Sequence, residues 1–396
     1  MNMLLPILYA VSTLDALAFA LVITTINPYA FSLGGTQFYL GVLGSLAALI
    51  NLFWNPIVGS LSDSLGRKKI LLLCLAFVFV GNLLATLFSS LTVLFISRIL
   101  STFGTQIAIL IKSLLDDKIK TKETKMAAIY RMQAIGGIAF ISGALIGGHL
   151  SEHANGFRIT FALISTMVAV NFALICLIPD VHTTEKKAVP TLQIATELKN
   201  AAANLTKVNW PKYWDLFTMK LIVDFVMNVM QFNLGLILQQ RFGVSGKLFG
   251  YVFAIASVVS IATSLAMSKA QKSLYKNDIS GLQRLKHGFL LLMLACLGLG
   301  LSPNVILFCL FLMPTSVTRV LFESTFTEII LARASPQEKG SIMGTFETTL
   351  SLGGLTAPLI SGIVSDFWGE MYCILMCAVP LVLGTGLIYL QKSKTQ

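Results

Sequence analysis

The sequence places ionisable side chains inside long apolar stretches, where they could bind ions or transfer protons. The set to which we assign substrate binding or ion coupling is Asp15, Arg98, Lys220, Asp224, Arg319, Glu323 and Glu347. Because an isolated charge in an apolar medium is costly, each should face water, a ligand or an opposite charge. The sequence contains no nucleotide-binding loop, zinc-ligand spacing or nucleophile–base arrangement. We therefore expect no enzyme activity, no cofactor and no metal site.

Asp15 lies deepest of the acidic candidates in the first half of the sequence. It stands about eleven residues into the first apolar stretch, which corresponds to a depth of about 16 Å in a helix. Its carboxyl group would bind a cation or carry a proton, or it would pair with a basic neighbour for structural reasons. The same alternatives apply to Arg98, as a coupling group or as a packing arginine bonded to carbonyl groups. Glu347 has no charged partner on its own stretch, which favours proton or substrate binding.

Two acid–base pairs in the second half are spaced four residues apart. Lys220 and Asp224 form one pair, and Arg319 and Glu323 form the other. Residues at this spacing share a helix face and can neutralise each other. A structural salt bridge and a role in lining a cavity remain equally open for both pairs.

The composition requires lipid around the chain. Hydrophobic residues make up 55% of the 396 residues and charged residues only 12%, whereas soluble proteins carry about 25% charged residues. Apolar runs of about 20 residues are long enough to cross a bilayer as helices. We predict an all-α membrane protein with twelve transmembrane helices, near 4–31, 37–61, 70–89, 91–114, 127–150, 157–178, 213–239, 246–268, 283–301, 304–332, 340–363 and 371–391.

The basic residues behind the net charge of +11 indicate the orientation of the chain in the membrane. They do not form a nucleic-acid-binding surface. Lysine and arginine crowd alternate loops, while the opposite loops hold only Arg158, Arg241 and Lys247. Since basic loops stay in the cytoplasm, both termini are predicted to be cytoplasmic. The sequence does not say which membrane the protein occupies. Membrane lipids are expected partners, nucleic acid is not, and the expected oligomeric state is a monomer.

The longest polar stretch divides the chain into two halves. We predict a six-helix bundle over 1–178, a cytoplasmic linker over 179–212 and a second six-helix bundle over 213–396. The linker forms either a short surface helix or a bare solvated connection. Internal duplication supports the division, because the segment from Gly143 to Glu152 matches the segment from Ala357 to Asp366 at a lag of 214 residues. Related half-repeats place a substrate site near the bilayer midplane.

The loop between the second and third spans carries the most specific motif. Its residues are Gly59-Ser60-Leu61-Ser62-Asp63-Ser64-Leu65-Gly66-Arg67-Lys68-Lys69. Gly59 permits close helix approach, Gly66 permits a tight turn, and Asp63 can pair with Arg67 or a helix N-terminus. The loop resembles the signature of the major facilitator superfamily, G-x-L-x-D-x-x-G-R-[KR]-[KR]. The resemblance implies two pseudo-symmetric bundles and a gating role for Gly59, Asp63, Gly66 and Arg67.

Two further segments resemble motifs of the same superfamily. Arg98-Ile99-Leu100-Ser101-Thr102-Phe103-Gly104 is similar to R-x-x-Q-G-x-G, without its glutamine and first glycine. The fifth span keeps Gly143, Gly147 and Gly148 of the antiporter element G-P-x-x-G-G, and small residues at this spacing favour tight helix packing. Ala144 stands where that element has proline, which questions antiport but not the fold. The counterpart of the signature loop in the second half, about 269–286, is basic but is read as having lost the pattern.

Weaker similarities favour a branch within the superfamily. The first span, with Thr13-Leu14-Asp15-Ala16, resembles the tetracycline-efflux and drug:proton antiporter-1 branch. The second half, with Tyr213-Trp214-Asp215-Leu216-Phe217, resembles the animal group of major facilitator superfamily domain-containing protein 9. The function these observations predict is secondary active transport of a small organic solute by alternating access, with protons as the coupling ion. The alternative is a non-transporting receptor or membrane scaffold with the same fold.

Overall fold

The computed structural model describes residues 4–118, 122–178, 210–276, 278, 280–333 and 339–395. The described chain is helical, and it contains twelve spans long and apolar enough to cross a membrane. The prediction of an all-α membrane protein with twelve transmembrane helices is confirmed. The predicted linker at 179–212 lies almost entirely outside the described residues.

The first six spans are built from seven helices. They are α1 (Leu4–Ser32), α2 (Gln37–Leu65), α3 (Arg67–Leu87), α4 (Leu91–Thr102), α5 (Ile107–Lys118), α6 (Lys122–Leu150) and α7 (Gly156–Cys176). The fourth span is therefore broken into α4 and α5, where the sequence predicted one helix. A Cβ built on Gly104 in the break would lie 2.3 Å from the carbonyl oxygen of Cys74. Close contact with α3 thus demands glycine where the helix is interrupted.

The last six spans also contain interruptions. Their helices are α8 (Trp210–Leu236), α9 (Gly246–Leu274), α10 (Leu282–Leu301), α11 (Val305–Arg333), α12 (Lys339–Trp368), α13 (Glu370–Leu375) and α14 (Ala378–Thr395). A π-helical turn, Ile237–Arg241, follows α8. The twelfth span is divided at Met376–Cys377 into α13 and α14, where one helix was predicted.

The chain forms two compact units. Unit 1 comprises Met1–Gly35, Leu49–Ala201 and Ser245–Ala254. Inside it, α1 packs against α6 and α7, and α3 packs against α4 and α7. The centroid of the Tyr29 ring lies 5.1 Å from that of Phe157 and 5.5 Å from that of Phe161. These buried aromatic contacts fix α1 against α7.

Unit 2 comprises Thr36–Ala48, Ala202–Val244 and Ile255–Gln396. Inside it, α8 packs against α12, and α10 packs against α11 and α14. Phe289, Phe322 and Phe326 form a buried aromatic row at the contact of α10 with α11, with ring centroids 5.2 and 5.8 Å apart. The first residues of α2 belong to this unit, and the first residues of α9 belong to unit 1. Both segments adjoin short loops between consecutive spans.

Candidate functional site

Asp15 lies in the middle of α1 in unit 1. Its carboxylate makes no hydrogen bond or ion pair with any residue in the described part of the chain. The position follows from the apolar stretch that forms α1, which carries no other charged residue. A charged group so deep in a span needs a proton, a solute or water to offset the cost of its transfer from water. The structure is therefore compatible with the predicted role of Asp15 in binding a cation or carrying a proton.

Arg98 lies on α4 in the same unit and contacts only neutral groups in the described chain. One guanidinium nitrogen donates to Asn82 Oδ1 at 2.8 Å and to Ser101 Oγ at 3.2 Å. The guanidinium carbon lies 5.6 Å from the centroid of the Phe161 ring. The buried Nε atom has no hydrogen-bond partner among the described residues. Arg98 is thus oriented by neutral groups and keeps its positive charge uncompensated, which suits the binding of an anionic group.

A polar cluster at the break between α4 and α5 was missed by sequence reasoning. Gln106 Nε2 donates to Asn51 Oδ1 at 3.0 Å and to Asn55 Oδ1 at 2.5 Å. Thr105 donates to Asn51 Oδ1 at 3.0 Å, and Trp54 Nε1 donates to the carbonyl of Phe103 at 2.7 Å. Gln106 is buried, yet its Oε1 atom has no hydrogen-bond partner in the part of the chain that the structure describes. The sequence did contain one indication of this cluster. Asn51 and Asn55 are four residues apart, which places both amides on one face of α2.

Lys220 and Asp224 form a closed ion pair on α8 in unit 2. Lys220 Nζ lies 2.5 Å from both carboxylate oxygens of Asp224. Thr349 of α12 donates to Asp224 Oδ2 at 2.8 Å, and Asp224 is only 6% exposed. Of the two alternatives left open by the spacing, the geometry agrees with a structural salt bridge. Asp224 has its charge neutralised and its hydrogen bonds made.

Arg319 and Glu323 make a looser pair on α11. Arg319 Nε lies 3.7 Å from Glu323 Oε1, and the two side chains are 59% and 70% exposed. Charged side chains exposed within a span usually face a cavity and not lipid, which agrees with a lining role. The backbone of Glu347 lies in α12, and its side chain lies outside the described residues.

The signature loop and its counterpart are more alike than the sequence suggested. Gly66, between α2 and α3, has φ +99°, a backbone conformation that favours glycine. Gly281 has φ +71° at the start of α10, and Asp278 precedes it by three residues as Asp63 precedes Gly66. Asp278 accepts hydrogen bonds from the backbone nitrogens of Gln283 and Arg284. The second loop thus keeps the aspartate and the glycine of the signature, although most of its other positions have lost the pattern.

Arg284 forms ion pairs within and beside this second loop. Its side chain pairs with Asp278 at 3.2 Å and with Glu328 of α11. In the first loop, the side chain of Asp63 lies outside the described residues. A Cβ built on Gly59 meets no described atom within 4 Å. The close helix approach predicted at Gly59 is thus absent from the described part of the structure, and Arg67 begins α3.

The three glycines of the fifth span lie at close contacts with other helices. A Cβ built on Gly143 would lie 2.6 Å from the carbonyl oxygen of Leu17, and one on Gly147 would lie 2.2 Å from Thr24 Oγ1. Both glycines therefore let α6 approach α1. Gly148 faces α9 instead, where a Cβ would lie 2.5 Å from the carbonyl oxygen of Gly246. Ala144 sits among them without the proline of the antiporter element.

The fold and these intramembrane groups are those of a membrane transport protein. The family model described as Major Facilitator Superfamily matches residues 8–311. This chain belongs to that superfamily. It is a multi-pass membrane transporter for a small-molecule substrate, and it is not an enzyme.

Individual relatives are distant but cover most of the chain. Major facilitator superfamily domain-containing protein 10 of Bos taurus is 22% identical over 365 residues, covering 87% of this chain and 76% of the relative. Quinolone resistance protein NorA of Staphylococcus aureus is 23% identical over 403 residues, covering 99% and 97%. The crystal structure of the human organic anion transporter MFSD10 (TETRAN) covers 98% of this chain and 99% of its own, with a TM-score of 0.66 and 19% identity. The similarity to the protein 9 group and the tetracycline-efflux branch stays a prediction.

Proposed function

We propose that this protein is a proton-coupled secondary active transporter that moves a small organic solute by alternating access. The observation that carries the proposal is the state of the charges in unit 1. Asp15 and Arg98 lie in membrane spans and have no counter-charge in the described chain, whereas Lys220 and Asp224 of unit 2 form an ion pair. Groups left uncompensated in this way are available to bind and release ions.

The cost of burying these two charges favours reversible binding of ions over a purely structural role. An uncompensated buried charge costs several kcal/mol, and a neutral side chain would remove that cost. Asp15 can be neutralised by a proton, and Arg98 by a carboxylate or another anionic group of the solute. We therefore assign Asp15 to proton coupling and Arg98 to an anionic group of the solute. Protonation of Asp15 would remove a negative charge that opposes the binding of an anion at Arg98, so each binding event would favour the other.

The polar cluster at the α4–α5 break supplies the rest of the proposed binding surface. Interrupted helices in transporters expose backbone groups and polar side chains where a solute binds. The amides of Asn51 and Asn55, with Trp54 beside them, would hold the neutral polar part of the solute. The solute class that fits is a small organic anion or zwitterion with additional hydrogen-bonding groups.

The names of two relatives agree with this class. One solved relative is titled an organic anion transporter, and another relative is named for quinolone resistance. We further propose that the loop containing Arg67 faces the cytoplasm, that both termini lie there, and that the protein works as a monomer. The six-helix halves at 1–178 and 213–396, joined by a linker at 179–212, would rock around the solute. Gly59, Asp63, Gly66 and Arg67 would gate the cytoplasmic side.

The deciding experiment measures ligand binding and flux on one set of variants. A thermal-shift screen of organic anions, zwitterions, cations and neutral solutes, at acidic and neutral pH, identifies stabilising compounds. Their uptake into proteoliposomes is then measured with and without an imposed pH gradient. Asp15→Asn should abolish the response to the gradient while the protein folds and inserts normally. Glu370→Gln, which neutralises an acidic residue outside the site, is the matched control.

Two results would contradict the proposal. Gradient-driven uptake that is unchanged in Asp15→Asn would remove Asp15 from coupling. A compound that stabilises the protein at either pH but is never transported would instead favour a receptor or scaffold.

A further inference from the structure

The start of α10 and the end of α14, both in unit 2, hold a basic side chain that has no counter-charge in the described chain. The ammonium nitrogen of Lys286 on α10 lies 4.9 Å from the centroid of the Tyr389 ring on α14. The described salt bridges of unit 2 do not include this lysine. A ring face attracts a cation but cannot neutralise it, because the ring carries no net charge. Lys286 therefore presents a positive charge at a fixed place.

Two acidic groups near the start of α10 are already engaged. Asp278 pairs with the side chain of Arg284 and accepts hydrogen bonds from the backbone nitrogens of Gln283 and Arg284. Glu328 pairs with the same arginine. The first turn of α10 is thus capped from within unit 2, and its positive end is not free to bind a further anion. An anion that binds here must be held by side chains.

Further polar and basic groups gather at this end of unit 2. His287 is exposed, and its Nδ1 atom lies 3.2 Å from the hydroxyl oxygen of Tyr275, just after α9. Lys276 follows and is also exposed. In the sequence, α14 continues with Lys392 and Lys394. The local charge therefore favours an anionic partner.

An apolar face of α14 leads away from this polar end. Five exposed residues spaced along one side of the helix form it: Val379, Val382, Leu383, Gly386 and Tyr389. A Cβ built on Gly386 would meet no described atom within 4 Å, so the face is indented one turn from Tyr389. Tyr389 ends the twelfth span. The face therefore runs from the membrane surface towards the hydrocarbon interior.

The neighbouring side of this surface belongs to α10. A Cβ built on Gly384 would lie 2.3 Å from a ring carbon of Phe289, so α10 and α14 are in close contact. Leu294 is exposed and lies eight residues after Lys286, two i,i+4 steps along α10. We call the surface formed by these groups of the two helices the α10–α14 strip, after its residues Lys286, Leu294, Gly386 and Tyr389.

We propose that the α10–α14 strip is a binding site for one anionic phospholipid. The phosphate of the lipid binds Lys286, with His287 beside it, and one acyl chain lies along α14 over Gly386. A charge-assisted bond between an ammonium and a phosphate supplies the affinity at the polar end. The acyl chain covers the exposed apolar face below it. Tyr389 is a positioning residue, because its ring holds the ammonium at the membrane surface.

The charge of the strip selects among membrane lipids. A zwitterionic headgroup brings its own cation close to Lys286, and a sterol has no anionic group to offer. An anionic phospholipid satisfies both the lysine and the apolar face. In the orientation proposed above, this end lies in the cytoplasmic leaflet, which carries anionic lipids in cells. The proposal concerns a face of unit 2 alone and does not depend on transport.

The first test is native mass spectrometry of the full-length protein during titration with dioleoyl phosphatidylglycerol or dioleoyl phosphatidylcholine. The first phosphatidylglycerol should bind about fivefold more tightly, which is the contribution of one lysine near an anionic headgroup. Lys286→Met should abolish this preference, and Lys286→Arg should keep it. Lys112→Met, which removes an exposed basic residue of α5 in unit 1, is the matched control and should keep it too. Inorganic phosphate should not displace the lipid, because it lacks the acyl chains.

The second test separates the ring from the charge. Tyr389→Phe keeps the ring face below the ammonium and should bind phosphatidylglycerol like the parent protein. Tyr389→Leu should weaken that binding severalfold and leave phosphatidylcholine unchanged. Tyr389→Trp then reports the location of the lipid, as the difference from the fluorescence of the parent protein in nanodiscs. Spin-labelled phosphatidylglycerol should quench this added signal more strongly than spin-labelled phosphatidylcholine at the same mole fraction.

The outcomes decide the assignment. A preference for phosphatidylglycerol that is lost in Lys286→Met and Tyr389→Leu, together with selective quenching at position 389, establishes the site. Equal binding of the two lipids by the parent protein overturns it, as does a preference that Lys112→Met lowers equally. Cholesterol binding that displaces phosphatidylglycerol and is unchanged in Lys286→Met would assign the strip to a sterol instead. If Lys286→Met failed to fold, the two tyrosine variants would still decide. None of these readouts needs flux, so a failure of the transport proposal would show separately in proteoliposomes.

Discussion

Lys220 and Asp224 in unit 2 balance each other's charge, whereas Asp15 and Arg98 in unit 1 have no counter-charge in the described part of the chain. Lys220 and Asp224 neutralise each other in unit 2, and Thr349 completes the hydrogen bonding of the carboxylate. In unit 1, Arg98 contacts neutral Asn82 and Ser101, and Asp15 has no polar partner in the described chain. The described intramembrane charges of the two units therefore lie in different electrostatic environments.

The difference teaches that an intramembrane charge is a functional candidate only after its partners are known. Both Asp15 and Asp224 are carboxylates deep in a span, and the sequence left a binding role open for both. Their physical situations are opposite. One charge is already balanced by a lysine, and the other needs a proton or a solute. Three predictions on charged residues test this contrast, from the largest expected effect on stability to the smallest, and a fourth concerns the α4–α5 break.

Breaking the closed pair of unit 2 should have the largest effect. Asp224→Ala leaves Lys220 as an uncompensated buried cation and should lower the free energy of unfolding by about 3–5 kcal/mol. The measurement is reversible unfolding in mixed detergent, followed by helical circular dichroism. The double variant Lys220→Met, Asp224→Leu should recover most of that loss, because no charge remains. If the double variant were as unstable as the single one, the pair would not explain the effect.

Removing the charge of Arg98 should affect function more than stability. Arg98→Met loses two hydrogen bonds to neutral groups but also removes an unpaired buried charge. We expect the free energy of unfolding to change by less than about 1 kcal/mol. The stabilisation of the protein by anionic compounds in the thermal-shift screen should disappear, while stabilisation by neutral compounds persists. A loss of stability as large as that of Asp224→Ala would show that the guanidinium is structural, and the contrast would fail.

The exposed pair on α11 should matter least for stability. Arg319→Gln removes an ion pair whose side chains are more than half exposed. Such pairs contribute at most about 1 kcal/mol, so unfolding should be nearly unchanged. Solute uptake and its Michaelis constant then decide whether Arg319 and Glu323 line the path. A large destabilisation would mean that unit 2 depends on this pair as it does on Lys220 and Asp224.

A substitution in the α4–α5 break would sharpen the contrast from the side of unit 1. Gly104→Ala drives a Cβ towards the carbonyl oxygen of Cys74 and should destabilise the protein by about 1–3 kcal/mol. Gly386→Ala is the matched control, because a Cβ there meets no described atom within 4 Å. The comparison needs only thermal unfolding of both variants. If the two glycines responded alike, the break would not be held by its packing on α3.

Much of the fold can be predicted from the sequence, because the residues that determine each span are consecutive. A bilayer demands about 20 apolar residues per helix, so each span is visible in the residues that form it. Its boundaries follow within a few residues, as with the predicted 157–178 and the observed Gly156–Cys176. The signature loop likewise lies in consecutive residues. Spacing alone also predicted that Lys220 and Asp224 share a helix face.

Only the tertiary structure shows which polar residues bond to each other. Thr349 is 125 residues from Asp224, and Gln106 is 51 residues from Asn55. The break at Gly104 depends on a carbonyl oxygen of another helix, so no local pattern of α4 could reveal it. Helix formation in a membrane is a property of neighbouring residues. Whether a buried charge is balanced or available is a property of residues that only the folded chain brings together.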